Sequence, residues 1–84
     1  SGRVEIRNRA LCEAAEHLGH VSLWAKAKAL AHEINSVERR HGQGGRLQEL
    51  VRLALDVDAN IPRSPRHLHT ILKARAWRFQ SEAA

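Results

Sequence analysis

Glycine and proline fall at a few places in this chain, and they limit its fold more than any other feature. Past the amino terminus they occur at Gly19, in "HGQGG" (41–45), and at Pro62 and Pro65. Proline removes a backbone donor and turns the preceding residue away from helix, while glycine is the commonest residue to close one. Four uninterrupted segments remain, each with apolar residues three and four apart. Ala and Leu together number twenty-three, against five Val, four Ile, one Thr and no Tyr. No apolar/polar alternation persists, so helix is the only periodicity on offer. The expected fold class is all-α: a compact bundle of four helices, with an amino-terminal antiparallel hairpin, a central apolar helix and a basic carboxy-terminal helix.

The first helix is expected from about Val4 to Leu18, with Val4, Leu11, Ala14, Ala15 and Leu18 on its inner face and Gly19 closing it. Ser22 is a good cap for a second helix, Leu23 to about Arg40. Its apolar positions, Leu23, Ala27, Leu30, Ile34 and Val37, make a short heptad seam for a neighbour in the same chain or for a partner. The third helix, about Arg46 to Val57, is apolar round more than half its circumference and belongs at the centre. Ser64 followed by Pro65 is a capping hydroxyl and then a first-turn proline, opening a fourth helix that runs to about Phe79.

A chain of 84 residues suits a single domain, expected over residues 4–80. At that length folding buries only somewhat over ~60% of the unfolded surface, so a deep catalytic cleft is hard to build. An apolar content of 43% is too high for a disordered tail, and no apolar run approaches the roughly 18 residues that span a bilayer. A lone Cys12 can form no internal disulfide, which suits an intracellular location. The chain opens Ser-Gly-Arg and contains no methionine. Residues 1–3 are therefore expected to be a disordered cloning remnant, 81–84 a frayed tail, and the whole a piece of a larger protein.

The net charge of +5 is unevenly spread. Residues 1–58 hold nine Lys/Arg against eight Asp/Glu, whereas residues 59–81 hold five Lys/Arg and no acid. In the fourth helix, Leu68, Leu72, Ala76 and Phe79 lie within about 80° of one another and should be buried. Opposite them fall Arg66, Thr70, Lys73 and Trp77, with His69 beside the stripe, Arg63 before it and Arg78 on a flank. Arginine, lysine and hydroxyl side chains meet phosphate oxygens, and an indole can stack on an unpaired base. The expected function is an accessory nucleic-acid-binding module, DNA or RNA, that contacts phosphates through Arg63, Arg66, Thr70, Lys73, Trp77 and Arg78. The bland reading is a solvated helix end, where the helix dipole alone favours cations such as Lys73, Arg75 and Arg78. The alternative function is a protein-interaction or assembly module without nucleic-acid contact. It would use the second-helix seam and Trp24 for a homo-oligomer, or the basic face for an acidic protein surface.

Other constellations carry less. Cys12 and His17 project about 140° apart on a helix, and no paired spacing of a structural zinc site exists, so no metal or cofactor is expected. Arg75 is expected at the edge of the core or paired with Asp58. Pro62 and Pro65 make a minimal polyproline-ligand pattern, better read as a helix-start connector. Arg46 follows a glycine-rich loop but no strand, so a nucleotide-binding motif is not supported, although the arginine could touch a phosphate. The link between the third and fourth helices exceeds the short turn of a helix-turn-helix. No nucleophile has a base at useful spacing, and the chain is not expected to be an enzyme.

Overall fold

The computed structural model describes residues 2–37 and 45–83, with side chains up to residue 75. Four helices follow one another: α1 (Gly2–Glu16), α2 (Leu23–Ser36), α3 (Arg46–Val57) and α4 (Pro65–Ala83). They form an all-α bundle with no strand among the described residues. The local signals act as expected. At the end of α1, the N–H groups of His17 and Leu18 donate to the carbonyls of Ala14 and Ala15, each at 3.1 Å, and tighten the last turn. Gly19 then reverses the chain at φ +87°, a conformation that carries a penalty of about 1–2 kcal/mol for a residue with a Cβ. Ser22 Oγ accepts from Ala25 N at 3.1 Å and caps α2.

The principal pairings are α1 with α3 and α2 with α4; contacts of α1 with α2 and α4, and of α2 with α3, are less extensive. The short turn joins α1 to α2, but each helix rests mainly on the helix two elements away in the chain. One continuous core results. Leu11, Ala14 and Ala15 come from α1, Ala27, Leu30, Ile34 and Val37 from the α2 seam, Leu50, Val51 and Ala54 from α3, and Leu68 and Leu72 from α4. The seam is thus buried within the chain. Val4, expected on the inner face, is exposed instead, as are all residues from 2 to 6, so the first turn of α1 stands clear of its neighbours.

Two polar links join helices that the apolar pattern could not have paired. Gln48 accepts from the N–H of Gly45 at 2.9 Å, closing the start of α3, and donates to Glu33 of α2 at 3.1 Å. The second link centres on Asp58, at the end of α3. One carboxylate oxygen accepts from Asn60 N at 3.0 Å and turns the chain. The other accepts from Arg7 Nη1 at 2.9 Å. Arg7 is buried, at 9% exposure, and its remaining nitrogens donate to Asn8 Oδ1 at 3.0 and 2.8 Å. Of the two settings expected for Arg75, the pairing with Asp58 is not formed: Arg7 takes that place because the α1–α3 pairing brings it there, and Arg75 is exposed. The connection beyond is long but anchored, since Ile61 and Pro62 are both buried. A buried Pro62 also removes the polyproline-ligand reading.

Candidate nucleic-acid interface

Helix α4 starts as its sequence directs. Ser64 Oγ accepts from His67 N at 3.2 Å, and Pro65 occupies the first helical position. Leu68 and Leu72 sink into the core and Ile71 packs at its margin, which turns Arg66, Thr70 and Lys73 outward, all three exposed. Among the described residues, no carboxylate lies within ion-pairing distance of Arg66 or Lys73. Thr70 donates its hydroxyl proton to the carbonyl of Arg66 at 3.2 Å, so toward an outside group it can only accept. Arg63 is exposed, and its Nη1 donates to Asn35 Oδ1 at 3.2 Å near the carbonyl end of α2, a favourable place for a cation. Trp77 and Arg78, with the expected core residues Ala76 and Phe79, lie outside the residues whose side chains are described.

Neighbouring helices frame this outward face. On one side is α2: Trp24 meets His69 nearly perpendicularly, with ring centroids 5.6 Å apart and planes at 87°. Trp24 contacts residue 69 and Asn35 contacts residue 63, so α2 and α4 run antiparallel. On the other side is α1, separated from α4 by a cleft of ≈ 360 Å³. Thr70, Ile71, Ala74 and Arg75 line its α4 wall, and Glu5, Asn8, Arg9 and Cys12 line the opposite one. Arg9 thereby joins Arg75 at a place the basic stripe reaches through Thr70. Sequence reading missed that neighbour, because Arg9 is 66 positions before Arg75 in the chain and reads as an ordinary surface residue of the first helix.

Cys12 sits at the bottom of this cleft, buried at 9% exposure. Burial pushes its thiol from about 9.0 up to about 11; the positive charge of Arg75 works against that rise, and Glu16 adds to it slightly. A thiol held in its neutral form is a poor nucleophile and a packing group. Because the folded chain keeps this proton where the unfolded chain loses it, folding stability should fall as pH rises from about 9 to about 11. Denaturant midpoints measured across that window should decline less steeply in Cys12→Ala than in the native chain; equal slopes would contradict the buried thiol.

The remaining constellations stay apart. Cys12 is buried while His17, His20 and His32 are exposed, and no group of three His, Cys, Asp or Glu among the described residues is placed to hold a metal. Arg46 is exposed and forms an ion pair with Glu49 at 3.3 Å, so its charge is already answered. No direct packing joins α3 and α4 among the described residues, which is not the arrangement of a helix-turn-helix pair. No described helix is long and apolar enough to cross a membrane. Compared with known proteins, the chain matches no family model and shows no significant similarity to a curated protein or a solved structure.

Proposed function

We propose that this helical domain binds nucleic acid through its phosphates. Arg66, Thr70 and Lys73 on the outward face of α4 make the contacts, with Arg63 ahead of them and Trp77 and Arg78 further along the same helix. One observation carries the reading: Arg66 and Lys73 are exposed on a common face, unpaired by any described carboxylate, within a segment that contains no acid from 59 to 81. A cation at a helix end needs no partner to be tolerated. Arg66, however, lies in the first turn, where the helix dipole disfavours it, so dipole compensation does not account for the stripe.

Salt supplies the test. Each phosphate neutralised contributes about 0.7 to 0.9 to the log–log slope of affinity against salt. Titrations with single- and double-stranded oligonucleotides should show a steep slope for the native chain. In the Arg66→Ala/Lys73→Ala variant the slope should be shallower by roughly one to two units, with weaker binding at every salt concentration. Absence of binding at low salt, or equal binding by the variant, would remove the proposal.

The alternative is a protein-interaction module, favoured by the 46% exposure of Trp24. The α2 seam is not available to it, because Ala27, Leu30, Ile34 and Val37 are already buried. Concentration-dependent self-association in the ultracentrifuge that Trp24→Ala abolishes would support this reading over nucleic acid.

A further inference from the structure

We infer that the strand bound is single-stranded and that Trp24 stacks on one of its unpaired bases, an inference that rests on the phosphate-binding reading of α4. Trp24 lies in the first turn of α2 and keeps 46% of its surface exposed. Its ring contact is with His69, three residues after Arg66 and four before Lys73. On a helix these spacings make His69 a surface neighbour of both cations. The indole therefore stands at the border of the cationic stripe, where the sequence alone put only Trp77.

The geometry of the ring pair leaves room for a ligand. Planes at 87° mean that the edge of one ring meets the face of the other. If the indole supplies the edge, His69 covers neither of its faces; if it supplies the face, His69 covers one. In either arrangement His69 leaves at least one face of the indole uncovered, and an open face beside phosphate-binding cations is the arrangement that holds unpaired bases. Lys28, exposed and one turn beyond Trp24 on α2, adds a further cation on that helix. Because α2 and α4 are antiparallel, Trp24 and Lys28 lie alongside the His69 and Arg66 levels of α4. A backbone following these cations passes the indole. Bases within a duplex are stacked on one another and cannot reach it without being flipped out.

Binding can be followed by polarisation of a labelled oligothymidylate and of a labelled duplex of the same length. The native chain should prefer the single strand. Trp24→Ala should lose roughly five- to a hundredfold in single-strand affinity, with duplex affinity and the salt slope unchanged. Trp24→Phe, which keeps an aromatic face, should retain most of the preference, and circular dichroism of both variants checks that the bundle is intact. In a Trp77→Phe background Trp24 is the single indole, and unlabelled oligothymidylate should quench its emission. Equal loss of single-strand and duplex affinity in Trp24→Ala, or unchanged emission at saturation, overturns the stacking role while leaving phosphate binding in place. Absence of binding to either oligonucleotide removes both.

Discussion

Replacing Asp58 with alanine is expected to lower the unfolding free energy by about 3 kcal/mol, read from urea denaturation followed by circular dichroism. The reason is the state in which it leaves Arg7. The guanidinium side chain is only 11% exposed, its ion pair with Asp58 is 2.9 Å long, and its other contact is a neutral amide. Removing the carboxylate strands a buried charge, and removes the acceptor that turns the chain at Asn60. Asp58→Asn keeps a turn acceptor and an uncharged bond to Arg7, so it should cost less. The Arg7→Met/Asp58→Ala double variant should recover most of the loss, because no charge then remains in the slot. If Asp58→Ala proves as stable as the native chain, the ion pair is not what ties α1 to the end of α3.

The second large effect is expected at Leu68, whose side chain is fully buried where α4 enters the core. Leu68→Ala should cost about 2–5 kcal/mol through lost transfer energy and the cavity left behind. A chain of this size has only roughly 4–13 kcal/mol in total. The variant should therefore melt at markedly lower temperature, while Leu68→Met, close in volume, should lose less than about 1.5 kcal/mol. This substitution also separates scaffold from interface. If α4 binds phosphates as proposed, Leu68→Ala should weaken that binding only through the fraction of chains unfolded, leaving the salt slope of the folded fraction unchanged. Arg66→Ala/Lys73→Ala should do the reverse, reducing the slope with little effect on stability. A Leu68→Ala chain as stable as the native one would mean that α4 is not seated as described.

The candidate interface was partly legible in the residues themselves. Outward placement of Arg66, Thr70 and Lys73 followed from helical periodicity once Leu68 and Leu72 were taken as the inner face. The setting of those residues was not legible. Arg63 bonds to Asn35, Arg9 comes to the same cleft as Arg75, and Trp24 reaches His69. Each of these depends on which helix lies beside α4, and periodicity says only that something must.

Four segments, their breaks and their caps are local properties, and the order of the residues determined them. The bounds of α3, the hydroxyl of Ser22 over Ala25, the Ser64–Pro65 start of α4 and the positive φ at Gly19 all arise from a few neighbouring side chains acting on one stretch of backbone. Which helices pair is a different kind of question, since any apolar face gains by covering any other. That choice fell to the three-dimensional packing, where the fit of the core, the reach of Arg7 to Asp58 and the bridge from Gln48 to Glu33 act together across distances in sequence that no local pattern spans.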